Sequence, residues 1–564
     1  MTERNGAAEG DSASASGTGT PSDVEDGSDS ASGPGTDPDS NSEFDSVPGP
    51  ESASTPLSTA ETAHDEGITT LAKQGGITFI GNVVKGAFGF AIVMLMTRFV
   101  SPSIYGLFVL ATSVILFTQV FANLGLPLAI DYFVPQYLDA GEQGKATGVI
   151  VQVTAVVLVA SSIVAVALAA GSRTIGDLFQ EPSMQVALLY LSVTIPMLAI
   201  YRVVLTSAYS IKQLQYRVLM RDIVRPLVRF GVTAGLLLAS LGLLALIIGY
   251  VVGLFVAIAV GAFAFVSRAR ARGLLTSDIE LVPVRPLVTY SLPLAMTSVV
   301  FVLMGQVDYF VVGYFLDADD VGIYRVGYML GSGLMIIFNS LSPVFKPLIA
   351  ETKDDTELVE RRFRVAARWI AGLTLPIAIV LSLGASSYLA VLYTPQYAEA
   401  NLVVVLLCGA FLFNVTVGGP NGSLLQGMGY SRIVFANTLV LFGANFLVSM
   451  ALVPVVGIEG AAIGSATALV LVGGLTLGEV YVIDGIQPFT RDFARVVGAG
   501  IPATIAGVPI VVVFESGLLI VGLLPVVVVG VYLGSLVVTD AFTEEDARML
   551  GEFSPALERW LPVG

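Results

Sequence analysis

From residue 77 onward the chain is written as a series of apolar stretches. They run at 77–98, 104–130, 148–170, 184–207, 223–240, 243–266, 287–316, 322–345, 366–392, 398–420, 430–453, 460–483, 494–514 and 517–538. Each approaches the roughly 20 residues that a helix needs to cross the hydrocarbon of a bilayer. The expected fold class is therefore an all-α polytopic membrane protein with about 14 transmembrane helices. The fifth and sixth stretches are divided only by the tripeptide "SLG" at 240–242. Composition agrees: 54% of residues are hydrophobic and 13% charged, against about 25% charged in an ordinary soluble domain.

The distribution of positive charge orients the spans. With the N-terminus inside, cytoplasmic loops follow even-numbered spans and should collect Lys and Arg. They carry Lys145; Lys212, Arg217, Arg221 and Arg225; Arg268, Arg270, Arg272 and Arg285. Lys346, Lys353, Arg361, Arg362, Arg364 and Arg368 follow, then Arg432, Arg491 and Arg495. With Arg4, Lys73, Arg548 and Arg559 the cytoplasmic side holds 22, and the other side only Arg98 and Arg173. A miscounted span would erase that contrast, so both termini are expected in the cytoplasm and the chain in the cell membrane.

Residues 1–67 are a different kind of sequence. They contain fifteen acids against the single Arg4, a net −14 out of the −16 of the whole chain. A Ser/Gly/Asp/Pro segment with nothing to bury cannot offset its ordering entropy and is expected to be a disordered cytoplasmic tail. It has neither the basic start nor the apolar core of a secretory signal. Twenty-two Arg against six Lys, with the acid excess, point to a high-salt organism. Cys408 and His64 are the only residues of their kinds, which excludes internal disulfides, Cys/His metal sites and His-based triads.

The chain also repeats itself. "RFVSPSIYGLF" (98–108) and "YFLDADDVGIY" (314–324) align without gaps at a spacing of 216. In that register Phe99 meets Phe315, Gly106 meets Gly322, Asn123 meets Asn339 and Pro127 meets Pro343. "LGLLALIIGYVVG" (241–253) matches "VGIEGAAIGSATA" (456–468) at 215. Six spans separate the copies, an even number, so both face the same way: a parallel repeat about an axis along the membrane normal. The expected divisions are 68–272 (N-lobe, spans 1–6), 273–484 (C-lobe, spans 7–12) and 485–564 (spans 13–14 with a cytoplasmic C-terminus). The two Asn/Pro pairs read as bending points of spans 2 and 8.

Three segments resemble one family. "FIGNVVKGAFGFAIVMLMTRFVSPSIYGLF" (79–108), "QVDYFVVGYFLDADDVGIY" (306–324) and "GIEGAAIGSATALV" (457–470) are similar, in order and spacing, to the first hairpin, seventh span and twelfth span of the polysaccharide-export branch of the multidrug/oligosaccharidyl-lipid/polysaccharide flippase superfamily. The resemblance covers roughly 70–540. It implies a flippase that moves a polyprenyl- or dolichyl-type phosphate or pyrophosphate bearing a sugar or oligosaccharide from the cytoplasmic to the outer leaflet by alternating access. Cell-surface glycan or glycoprotein assembly is the implied setting, with glycosyltransferases as partners. No enzyme activity, cofactor, metal or nucleic acid is expected.

Such a protein needs buried cations for phosphate and polar groups for sugar, and charges inside spans are functional candidates. Lys85 lies eight residues into span 1, about 12 Å deep at about 1.5 Å per residue, with Asn82 and Gly89 on the same face. It either binds phosphate in a cavity or neutralises an acid between helices. Asp308 in span 7 either pairs with Lys85, binds a coupling H⁺ or Na⁺, or braces local packing. Arg325, at the start of span 8, either takes the phosphate in the outward state or snorkels to the interface. Arg202 and Arg229 read as topological anchors. Gln119, Asn123, Gln306, Asn339 and Asn414 suit a sugar-lining cavity or interhelical hydrogen bonds. A multidrug or organic-cation antiporter would share the fold but favour an acidic or aromatic pocket. An integral-membrane glycosyltransferase would rest on "DADD" (317–320), and a non-transporting scaffold on no particular residue.

Overall fold

In a computed structural model of the chain, residues 86–210, 219–271, 273, 278–352 and 355–541 are described. All described residues belong to one unit, Ala60–Gly564. These residues form helices and connecting turns, with no strand among them. The first half comprises α1 (Gly86–Phe99), α2 (Pro102–Asn123), α3 (Pro127–Asp139), α4 (Gln143–Leu178), α5 (Ser183–Leu191) and α6 (Thr194–Ser210). A π-helical segment, Leu219–Val224, then leads into α7 (Arg225–Leu238) and α8 (Leu243–Ala271). The second half opens with α9 (Val284–Phe315), α10 (Ala318–Ser332), α11 (Met335–Glu351), α12 (Thr356–Leu383) and α13 (Ala385–Leu392). After a 3₁₀ turn come α14 (Asn401–Phe413), a second π segment (Asn414–Gly418), α15 (Gly419–Gly427), α16 (Ser431–Val456) and α17 (Ile458–Asp484). Three helices, α18 (Arg491–Gly498), α19 (Gly500–Val513) and α20 (Gly517–Val538), complete the described chain.

Eleven spans among the described residues are long and apolar enough to cross a membrane, twelve if the bent pair α10–α11 counts as one. Two further apolar stretches fall on α1, described only from Gly86, and on α7, lengthened by the π segment before it. The outer surface is itself apolar: Phe263, Val482 and Val538 are 76%, 82% and 83% exposed. A large exposed apolar surface is costly in water and fits hydrocarbon.

Breaks in two of the expected spans bear on the Asn/Pro pairs. The stretch 104–130 ends as a helix at Asn123, because Leu124 and Gly125 have φ of 50° and 67°, and Pro127 then starts α3. Gly125 is required there: a Cβ would lie 2.5 Å from the Ser291 carbonyl oxygen of α9. The Asn123/Pro127 pair thus marks a break rather than a gentle bend. Asn339 and Pro343, by contrast, lie within the continuous α11, and the 53° bend of span 8 falls earlier, between α10 and α11. That bend follows the sequence "GSG" at 331–333, where small residues resist bending least. The "SLG" turn does separate two helices, with Ser240 and Gly242 at φ of 61° and 51°.

The two copies of the repeated loop lie against each other. Ser101 caps α2, accepting from the Ile104 N–H, and Asp317 caps α10, accepting from the Asp320 N–H at 3.2 Å. The helices then cross through their glycines. A Cβ on Gly106 would lie 1.7 Å from the Ala318 carbonyl oxygen, and one on Gly322 2.5 Å from that of Pro102. Glu181 fastens the same end by accepting the Ala318 N–H at 3.2 Å, and Arg98 donates to the Val391 and Leu392 carbonyls that end α13. Backbone leaves no room at the crossing. Gly106→Ala should therefore lower the thermal midpoint in detergent, by a cost of about 1–3 kcal/mol or more for overpacking. Gly443→Ala, where nothing lies within 4 Å, should leave it in place; equal midpoints would contradict the seam.

Candidate functional site

The α9–α10 hairpin brings two consecutive residues of one helix against two of the other. The Tyr324 hydroxyl donates to Asp308 Oδ2 at 2.7 Å, and one residue along, Arg325 Nη1 donates to the Tyr309 hydroxyl. Asp308 is 6% exposed. Its carboxylate also accepts from Asn445 Nδ2 of α16 at 2.9 Å and from Ser465 Oγ of α17 at 2.7 Å. Ser449 Oγ in turn donates to Asn445 Oδ1 at 3.0 Å. Three donors from three helices hold the carboxylate, and no Lys or Arg of the described residues pairs with it. Close helix packing is built in here too, since a Cβ on Gly464 would lie 2.1 Å from Ser449 Oγ.

Arg325 sits among tyrosines. Its Cζ lies 5.3 Å from the Tyr309 ring centre, and the hydroxyls of Tyr309, Tyr105 and Tyr328 surround its charge. Tyr105 comes from α2, so the cradle joins the two halves of the chain across the Gly106/Gly322 crossing. Tyr309, Tyr324 and Tyr328 pack ring to ring at 6.0–6.3 Å. Those rings connect the Asp308 network to the Arg325 cradle.

A pair of further cations faces the same region. Arg225 and Arg229, one turn apart on α7, place their Cζ atoms 5.4 and 5.1 Å from the ring centre of Tyr250 on α8. Arg225 also lies 5.3 Å from the Tyr201 ring, and Arg229 5.7 Å from that of Phe108. The charges of Arg225 and Arg325 both reach Arg229. "GYVVG" (249–253) allows this approach: a Cβ on Gly249 would meet Thr233 Oγ1 at 2.0 Å, and one on Gly253 would meet Arg229 Cβ at 2.9 Å. None of the three arginines is paired with a described carboxylate; the nearest on the helix, Asp222, is held by Arg221 at 2.9 and 3.0 Å. A cation within a span costs about 2.5–3.5 kcal/mol on insertion scales, while contact with an aromatic face returns about 0.5–2 kcal/mol. Three such charges favour an anion.

The other expected site residues are spread more widely. Lys85 and Asn82 lie outside the described residues. Gln119 and Asn123 are buried near the end of α2, with Gln119 Nε2 donating to Asn123 Oδ1 at 2.8 Å. Gln306 is half-buried on α9, Asn339 is exposed on α11, and Asn414 begins the second π segment. Arg202 is exposed. Arg229, read as an anchor, instead turns inward, with its Nε buried and without a hydrogen-bond partner among the described residues.

Residues 95–402, more than half of the chain, match the family model described as "Polysaccharide biosynthesis protein". The chain belongs to that family. Among curated proteins it is similar to a probable flippase, AglR, of Haloferax volcanii, 23% identical over 211 residues that make up 37% of this chain and 43% of that one. It is also similar to the teichuronic acid biosynthesis protein TuaB of Bacillus subtilis, 21% identical over 152 residues, 26% and 31% of the two chains. The family member thus spans less than half the length of either curated relative. Among solved structures, the lipid II flippase MurJ in an inward closed conformation superposes with a TM-score of 0.66 at 14% identity, over 82% of this chain and 98% of that one. An inward-facing multidrug resistance MATE family transporter of the MOP superfamily gives 0.56 at 13% identity, over 71% and 94%. The fold of this polysaccharide biosynthesis family member is the MurJ- and MATE-like helical fold.

Proposed function

We propose that the protein is a flippase that carries a lipid-linked sugar or oligosaccharide, on a polyprenyl- or dolichyl-type phosphate or pyrophosphate, from the cytoplasmic to the outer leaflet. The observation that carries this reading is the Arg325 cradle: a cation within a candidate membrane span, without a carboxylate partner among the described residues, set among tyrosines from both halves of the chain. The family, AglR and the better fit to MurJ than to the MATE transporter support it. Alternating access would work between the proposed lobes, 68–272 and 273–484, with 485–564 appended. The reciprocal contacts of Gly106 and Gly322 support a two-fold relation between these lobes. The Gly106/Gly322 seam would be the outer gate, which parts to release the cargo.

Charge distribution supports a cell-membrane protein with both termini cytoplasmic. Arg325 and Lys85 would hold phosphate, and Asn82, Gln119, Asn123, Gln306 and Asn339 would contribute to the cavity or its coupling. Asp308, with its oxygen-rich surroundings, would take the coupling ion, H⁺ or Na⁺. Glycosyltransferases that build the glycan on the cytoplasmic face would be functional partners, and the product would enter cell-surface glycan or glycoprotein assembly. Deleting the gene should make the lipid-linked glycan accumulate on the cytoplasmic leaflet, detected by an impermeant sugar-oxidising reagent applied to oriented vesicles. Unchanged leaflet distribution and surface glycan in the deletion strain would overturn the reading.

A further inference from the structure

The phosphate is assigned to Arg325 with Lys85, which leaves Arg225 and Arg229 without an assignment. Neither is placed as a topological anchor would be. Both guanidinium groups press on the single Tyr250 ring, held there by close packing of α7 and α8 through Gly249 and Gly253. Arg229 Nε is buried without a hydrogen-bond partner among the described residues, and the Tyr201 hydroxyl lies beside the Arg225 guanidinium. The one nearby acid on the helix is already paired with Arg221. A π-helical segment, a feature common at functional sites, lies immediately before Arg225. Interhelical glue would need an acceptor for each guanidinium, and among the described residues these two meet ring faces and the Tyr201 hydroxyl but no carboxylate.

We propose that Arg225 and Arg229, with Tyr250 between them and the Tyr201 hydroxyl beside them, form a second oxyanion site, which takes a second acidic group of the cargo held at Arg325. This inference rests on the flippase reading. Guanidinium forks bind phosphate and carboxylate alike through paired hydrogen bonds. The second group is therefore either the other phosphate of a diphosphate linker or the carboxylate of an acidic sugar. In both cases the preferred cargo carries at least two negative charges.

The test uses the full-length protein in nanodiscs and three synthetic probes with one short prenyl chain: a phosphate-linked glucose, a diphosphate-linked glucose and a phosphate-linked glucuronate. The wild type should bind at least one doubly acidic probe ten times or more tighter than the phosphate-linked glucose, and the probe with the advantage identifies the source of the second group. Arg229→Gln and, separately, Arg225→Gln should bring that ratio close to one; Arg229→Lys should keep part of it. The two single variants guard against loss of folding in one of them, checked by thermal midpoint. A wild-type ratio near one, or a ratio that persists in both glutamine variants, would overturn the second site while leaving the flippase reading intact. Failure of all three probes to bind would remove the flippase reading as well.

Discussion

Arg325→Gln is expected to abolish flipping in a deletion strain while the protein still inserts at normal levels. The variant removes the charge-assisted hydrogen bonding that the cradle offers to phosphate; one such bond contributes about 1.5–3 kcal/mol, so losing even one costs about ten- to hundredfold in cargo binding. Arg325→Lys should restore part of it, because the charge returns without the planar fork. The Tyr309 contact separates this outcome from a merely structural one. Tyr309→Phe removes the same hydrogen bond to Arg325 but keeps the cation, and should therefore retain most of the transport that Arg325→Gln loses. Surface glycan and membrane protein level, measured together, decide the matter. Equal loss in Tyr309→Phe and Arg325→Gln would mean that the hairpin contact, not the phosphate, is what Arg325 serves.

The second large effect is expected at Asp308. Asp308→Asn keeps the volume but removes the charge that the Tyr324, Asn445 and Ser465 donors surround. If the carboxylate holds the coupling ion, wild-type transport should depend on a pH or Na⁺ gradient, and the variant should lose that dependence along with at least nine-tenths of its rate. A carboxylate that only braces α9, α10, α16 and α17 would behave differently. Its loss would lower the thermal midpoint, yet the remaining transport would keep the gradient dependence of the wild type. Since the Tyr324 and Tyr309 rings meet edge to face and link Asp308 to Arg325, the same variant should also weaken binding of a phosphate-bearing probe.

Much of this architecture is legible in the sequence because the bilayer imposes a simple rule on segment length. Apolar runs of suitable length locate the helices, and Asp308 and Arg325 stand out as charges inside such runs. The breaks are harder to read, because the left-handed turn at Leu124 and Gly125 lies where Gly125 packs closely against the Ser291 carbonyl of another helix, an approach that local sequence does not encode. The bend in span 8 likewise follows the small residues of 331–333 rather than the Asn/Pro pair.

Direction is the other missing quantity. Sequence depth makes Arg229 a plausible anchor near a span end, but does not say that its side chain turns toward Phe108 and Tyr250. Tyr105, Asn445 and Ser465 carry no signal of their own, since one polar atom on a mostly apolar span is commonplace. "GYVVG" preceded by two arginines one turn apart is the pattern that could have revealed the Arg225/Arg229 pair. The repeat, finally, marks Gly106 and Gly322 as equivalent positions; only the folded chain reveals that they touch.

Flipping measured with purified protein in sealed liposomes tests the central claim most directly. A fluorescent prenyl-phosphate sugar placed in both leaflets is exposed to an impermeant reagent that destroys the label, so that only flipped molecules continue to be lost. With the wild type, loss should proceed past the outer-leaflet half toward completion, and with Arg325→Gln it should stop near one half. Loss that stops at one half for the wild type, or runs equally far in Arg325→Gln, would contradict the account.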